Sequence, residues 1–434
     1  MGDGASCRNW KDGRVAAPVN PPRGMRDFLP ADKARRERAL ATIKRVYSQH
    51  GFDEIETPAV EEFGRLHSGL GGDNEKLAYS VLKRGLSADD LRAAADADET
   101  SALTDLGLRF DLTVPLARYY ASHRAELPTV FRSLQTGPVW RAERPQKGRY
   151  RQFVQCDIDI IGEAGQIAEI ELVSATLAAL DALGVVGASV RINDRRILTR
   201  LLASWGVAEH FGERALITID KLDKVGVDGV VAELAEFGID TAGVAEALNE
   251  IGAGGWDLLE GDAPEWLDPV AYSDLLALRA ALPDVELVFD PTLVRGMGYY
   301  TGTIFEIAHP ASGSSVAGGG RYDGMIGRFL GQEVPAVGFS IGFERILEIV
   351  PEADADRPES LVLVYDPDLP AERIAQLKRG ALALEGFSRV RLERRPRNVK
   401  GLLDTLAGDG WSAFAMVGPD TAELEPRPLG RQED

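Results

Sequence analysis

Cysteine is nearly absent: the 434 residues hold two, Cys7 in the N-terminal stretch and Cys156 in a candidate strand. Neither a disulfide framework nor a four-ligand zinc site can be built from that pair, so no metal site made of protein ligands alone is expected. Long apolar runs are missing too. Nothing approaches the roughly 20 residues that cross a bilayer, and the charged residues 1–20 contain no secretory apolar segment. They read as a disordered tail on a cytoplasmic protein that makes no membrane contact. Positive charge is in deficit. A net charge of −19 argues against a surface coated for nonspecific nucleic-acid binding, so any contact with RNA has to be local.

What is present is a globular composition, 44% hydrophobic and 27% charged, on a chain too long for one ordinary core. Residues 31–50 place Leu40, Ile43, Val46 and Tyr47 on one helical face, with Gly51 as a stop. A strand is expected over 52–60, where Pro58 suits an edge or an end. Further strands are expected at 108–112, 129–132, 138–142, 153–161, 303–308 and 337–341. Many strands with few βαβ units predict an α+β fold with an antiparallel sheet flanked by helices. Residues 195–284 turn Ala- and Leu-rich with helical periodicity and read as a helical insertion, leaving 21–194 and 285–350 as the main domain. Residues 351–359 read as a linker. From 360 to 434 the order strand, helix, strand, helix, strand predicts a small parallel α/β domain, with no clear terminal strand and helix after Pro419.

The densest chemistry lies at 139–155, VWRAERPQKGRYRQFVQ, a hairpin loaded with cations between two strand-like segments. An Arg fork matches phosphate oxygens bidentately and stays charged at working pH. Taken alone, such a hairpin reads more readily as a solvated surface. The string as a whole, however, resembles motif 2 of the histidyl-tRNA synthetases, a class II aminoacyl-tRNA synthetase family. The resemblance extends to PPRGMRDFLP at 21–30, LRFDLTVPLARY at 108–119, IDKLDK at 219–224, LVRGMGYYTGTIFE at 293–306, GGGRYDGM at 318–325 and GFSIGFERI at 338–346. It covers about 21–350. The C-terminal domain resembles the family's anticodon-binding domain more loosely and is shorter.

The resemblance implies activation of L-histidine by ATP with Mg2+, then transfer to tRNA(His). It assigns Arg141 to the α-phosphate, Glu143 to the adenine end, Arg345 to the γ-phosphate, and Arg295 to charge stabilisation during attack on the α-phosphate. Asp111, Thr113 and Gln155 would hold the α-ammonium. Asp159, four residues beyond Gln155 on the same strand face, would accept from the imidazole, with Tyr299 and Tyr300 lining the ring. Without the surrounding string those tyrosines would read as core aromatics. Gly318, Gly319 and Tyr322 would complete the lining, glycine permitting close backbone approach. The chain's five histidines all lie outside these strings, so histidine enters as substrate rather than catalyst. Where many relatives carry Leu-Asp, this chain has Met297 and Gly298. Motif 1, from helix 31–50 into Pro58, implies a homodimer, and Arg394, Arg395 and Arg397 are candidates for tRNA contact. Two rivals share the same resemblance: a synthetase-like regulatory subunit of ATP phosphoribosyltransferase, and a noncatalytic tRNA sensor. Both are expected to have shed catalytic residues that this chain keeps.

Overall fold

A computed structural model describes residues 19–67, 77–145, 148–251, 256, 264–296, 298–351 and 359–430. The expectations for residues 1–18, for most of the linker, and for Lys147 and Met297 fall outside the described residues. The chain divides into two compact units, Met1–Pro351 and Glu352–Asp434.

The first unit is built on an eight-stranded sheet. Its order is Asp53–Glu54, Phe131–Trp140, Gln152–Ile161, Ala336–Gly342, Ala317–Arg321, Thr303–Ala308, Ser189–Asp194, Leu287–Phe289. Neighbours are antiparallel except at the two ends, where each short edge strand pairs in parallel. Strand Gln152–Ile161 is buried on both faces. Cys156, Ile158 and Ile160 enter the main apolar core beneath helices Pro30–Gln49 and Ile167–Ala182, while Gln155, Asp157 and Asp159 alternate onto the opposite face. Burying each large aliphatic side chain stabilises the fold by about 1.5–3 kcal/mol, which anchors the strand from its apolar side. Helix Pro30–Gln49 begins on a proline and buries Arg36, Ala39, Ile43, Val46 and Tyr47 at helical spacing; Gly51, with φ 85°, follows its end.

Three local expectations change. Residues 129–132 and 138–142 belong to one strand, Phe131–Trp140, which runs through Gly137 and Pro138. Buried Arg109 explains this, because its Nε donates to the Pro138 carbonyl at 3.0 Å and its guanidinium occupies the space a Cβ at Gly137 would need. The expected strand 52–60 is instead two short strands in different sheets. Asp53–Glu54 joins the main sheet, while Val60–Glu62 joins Thr104–Leu108 and Tyr79–Leu82, with Pro58 between. The strand expected at 108–112 ends at Leu108, and the chain turns into helix Thr113–His123, where the Val114 amide donates to Asp111 Oδ1 at 3.1 Å.

Within 195–284, helices Arg195–Ser204, Gly212–Ile219, Leu222–Glu236 and Val244–Ile251 share a core containing Leu198, Leu216, Val230, Leu234 and Leu248. Helix Pro269–Ala281 instead sends Ala271, Leu275 and Leu278 into the core of the main sheet. The second unit has strand order Arg389–Arg394, Ser360–Tyr365, Ala413–Val417, Arg427–Pro428. The first three are parallel, and the fourth is a short antiparallel terminal strand that the sequence pattern did not reveal. Helices Ala371–Leu382 and Val399–Gly408 pack on opposite faces, against Leu361 and Leu363 on one side and Val362 and Val364 on the other.

Sheet packing is tightest at Gly319, where an added Cβ would lie 1.9 Å from the Gly338 carbonyl oxygen. Gly319→Ala should therefore lower stability by about 3 kcal/mol, read as an earlier midpoint in urea unfolding with an unchanged slope. A variant as stable as the wild type would show that these strands can separate without penalty.

Candidate active site

On the sheet face away from the main core lies a cavity of about 600 Å³. Every candidate residue that the sequence proposed between Asp111 and Arg345 lines it. Arg394, Arg395 and Arg397 belong to the second unit, where all three are exposed.

One part of the cavity gathers hydrogen-bond acceptors. Asp111 approaches from the turn before helix Thr113–His123, and Gln155, Asp157 and Asp159 project from their strand. Burial pushes the Asp111 carboxyl up to about 6, against the Val114 amide and Arg141, which favour its charge. Burial likewise raises Asp159 to about 7, although its Oδ1 accepts a 2.6 Å bond from the Tyr322 hydroxyl. Asp157 is raised well above the ordinary carboxylate range by burial and by Asp159 beside it. Asp111 Oδ2, Asp157 Oδ1 and Gln155 Oε1 are buried with no hydrogen-bond partner among the described residues. Each such acceptor costs about 1–3 kcal/mol, and a ligand bearing ammonium or N–H groups would recover it. Tyr299 sits edge-on to both Tyr300 and Tyr322, with ring centroids 4.9 and 5.9 Å away, forming an aromatic wall. Opposite Asp159 in the ladder is Gly338, where a Cβ would fall 2.0 Å from Asp159 Oδ1.

Another part gathers cations. The Arg295 guanidinium pairs with Glu306 at 2.7 Å, its Nε is buried without a partner among the described residues, and it fills the space that a Cβ at Gly318 would take. Burial works against its charge, but Glu306, Tyr300 and Asp220 outweigh that and raise its pKa. Arg345, near the start of helix Phe343–Ile349, donates to the Ser315 carbonyl at 2.6 Å. Burial lowers its pKa, and repulsion from Arg149 and Arg295 lowers it further. Arg141 donates from Nε to the Phe110 carbonyl at 3.0 Å and lies over the Phe153 ring; Glu143 pairs with Arg149 at 3.6 Å. A polyanion would relieve the mutual repulsion of these arginines. Helix Phe343–Ile349 is held by buried Glu344, which accepts from both terminal nitrogens of Arg36 at 2.6 and 2.7 Å and also pairs with Arg26.

Among the lining residues that had no role assigned from the sequence are Asp157, Arg149, Glu306 and Glu344. Asp157 was detectable, since period two places it with Gln155 and Asp159. Arg149 lay in the basic hairpin string. Glu306 and Glu344 have partners 11 and 308 residues away, and no local pattern announces either.

The profile of the histidyl-tRNA synthetase family matches residues 24–346. A histidine–tRNA ligase of Leifsonia xyli subsp. xyli is 60% identical over 430 residues, spanning 96% of this chain and 99% of its own. The chain belongs to the histidyl-tRNA synthetase family. Among further relatives of the synthetase, a probable histidine–tRNA ligase of Tropheryma whipplei is 43% identical, covering 92% of this chain and 96% of its own. The crystal structure of a histidyl-tRNA synthetase from Nostoc sp. PCC 7120 superposes with a TM-score of 0.71 at 26% identity, covering 95% of this chain and 97% of its own. A Bacillus halodurans structure described as an ATP phosphoribosyltransferase regulatory subunit/histidyl-tRNA synthetase shares the fold, with a TM-score of 0.73 at 21% identity, covering 94% of this chain and 100% of its own.

The raised pKa of Asp159 has a signed consequence for this synthetase. A carboxyl that ionises at about 7 when folded and near 4 when unfolded favours the fold at low pH, and that contribution is lost as pH rises through 7. Asp159→Asn keeps an acceptor for Tyr322 but cannot ionise. The ligand-free variant should be more stable than wild type by about 2–4 kcal/mol at pH 8, with the gap nearly closed at about pH 4. Thermal unfolding at both pH values measures it, and a difference independent of pH would remove the charge from Asp159.

Proposed function

We propose that the protein is a histidine–tRNA ligase that joins L-histidine to ATP as histidyl-adenylate and then transfers the histidyl group to the 3′ end of tRNA(His). One observation carries the reading: buried acceptors and crowded arginines share a single cavity, and Arg295 lines it within electrostatic reach of Tyr300 in the aromatic wall and of Arg345 among the cations. That is the place for a group stabilising charge where the two substrates meet.

In the first step a histidine carboxylate oxygen attacks the α-phosphorus, the bond to the bridging β-phosphate oxygen breaks, and pyrophosphate leaves. In the second, a terminal ribose hydroxyl of tRNA attacks the acyl carbon and AMP leaves. Asp111, Thr113 and Gln155 receive the α-ammonium; Asp159, steadied by Tyr322, reads the imidazole N–H beside Tyr299 and Tyr300, with Gly318 and Gly319 letting backbone close in. Arg141 takes the α-phosphate, Glu143 the adenine end and Arg345 the γ-phosphate, so catalysis is positioning and charge neutralisation. Mg2+ accompanies ATP. Phosphate oxygens and water would supply most of its ligands. A homodimer joined through the region of helix Pro30–Gln49 and a cytoplasmic location complete the proposal. No helix of the described residues is long and apolar enough to cross a membrane. The regulatory-subunit and sensor readings are not favoured, because Arg141, Glu143, Arg295 and Arg345 are all retained.

Histidine-dependent exchange of pyrophosphate into ATP, followed by charging of purified tRNA, tests the function. Arg295→Ala should slow exchange by at least about a hundredfold while the variant stays folded and still binds histidine. Exchange within a few-fold of wild type would remove Arg295 from the chemistry.

In the second unit Arg394, Arg395 and Arg397 are exposed beside helix Val399–Gly408, whose first turn is capped by Asn398. We propose that they bind tRNA phosphates. Replacing all three with Gln should weaken tRNA binding and flatten its salt dependence, leaving exchange unchanged. Undiminished charging at moderate salt would rule this face out.

A further inference from the structure

The IDKLDK string at residues 219–224 takes no part in the roles described so far. It forms the tip of the helical insertion. Helix Gly212–Ile219 ends there and helix Leu222–Glu236 begins, with Lys221 Nζ donating to Glu233 at 2.6 Å to fix the junction. Ile219 is buried in the core that the insertion shares with Leu293 and Val294, and Ile219, Asp220, Leu222 and Lys224 all line the cavity in company with Arg149 and Arg295. Two residues past Lys224 the backbone leaves helical geometry at Gly226, with φ 71° and ψ 175°. Glycine adopts that conformation without the strain other residues would carry. The turn bearing Lys224 is thereby set independently of the helix that follows.

Charge is arranged at this wall. Asp220 is close enough to Arg295, Lys224, Glu306 and Arg149 for each to act on it; burial raises its carboxyl pKa, and Arg295 and Lys224 pull the other way. Lys224 itself is solvent-exposed, so its ammonium retains the mobility of a point charge on a flexible stem, whereas Arg295 and Arg345 are desolvated and fixed. A mobile cation suits the outer phosphates, which must be released as pyrophosphate.

We infer that the insertion tip forms a wall of the nucleotide site, with Lys224 binding the outer phosphates of ATP and Asp220 holding that ammonium toward the cavity. The inference rests on the proposed reading of the cavity as an ATP and histidine site. Histidine-dependent pyrophosphate exchange by the full-length wild type tests that reading first, and absence of exchange there would reject the reading itself. With exchange established, Lys224→Ala should raise the ATP KM by about tenfold while the histidine KM stays within twofold, and Lys224→Arg should recover most of the loss. In the Ala variant Asp220 loses one of the cations that offset its charge beside the phosphates, so Asp220→Asn added to Lys224→Ala should lower the ATP KM again. An ATP KM within twofold of wild type in Lys224→Ala, an equal rise in both KM values, or no improvement from Asp220→Asn would each overturn the inference. A thermal unfolding midpoint matching wild type separates these results from loss of fold.

Discussion

Strand Gln152–Ile161 is buried on both faces, and the first unit is organised around that constraint. Ionised carboxylates do not survive burial without support, yet this strand presents Asp157 and Asp159, both nearly fully buried, to the cavity. Its other face explains how. Cys156, Ile158 and Ile160 are locked into a core shared with Tyr47, Leu172, Phe305 and Phe339, so the strand can neither slip nor rotate to release its acids. A one-residue slip would carry aspartates into the apolar core. The register is therefore set by hydrophobic burial and used by electrostatics.

The same trade recurs among the cations. Arg36 and Glu344 form a buried bidentate pair linking helix Pro30–Gln49 to the helix that carries Arg345. Such a pair adds little net stability against an apolar alternative, but removing one partner strands the other charge, so the two helices are tied together. Arg345 then stays beside Arg149 and Arg295 despite repulsion. Without ligand the cavity is costly at both parts, through unpaired acceptors in one and crowded guanidinium groups in the other. A pair of ligands bringing an ammonium and a polyanion would remove both costs, a form of preorganisation in which stability is given up for binding.

Beyond this sheet the chain adds further parts. Four helices of the insertion pack on one another and on Leu293, Val294 and Ile304 beside the cavity, while helix Pro269–Ala281 returns to the main core. The second unit closes its small sheet with helices on opposite faces and leaves a row of arginines exposed.

Much of this was written locally. Period two gave the strands at 153–161 and 303–308, helical spacing gave residues 31–50, and the arginine-rich hairpin with its companion strings named the lining residues that share one cavity. Those features depend on neighbours in sequence, which is why a pattern reveals them. Tertiary structure decided the rest. Whether Pro138 ends a strand depended on Arg109 arriving to take its carbonyl, and whether 52–60 is one strand or two depended on which sheet each half could reach. Asp157 became a cavity acid only when its strand was covered on both sides, and Glu344 found its role only when a helix 308 residues earlier supplied Arg36. Sequence alone determined the chemical groups and their local periods. Pairing, burial and the resulting shifts in charge required the packed molecule, because each depends on partners that only long-range contact brings within hydrogen-bonding distance.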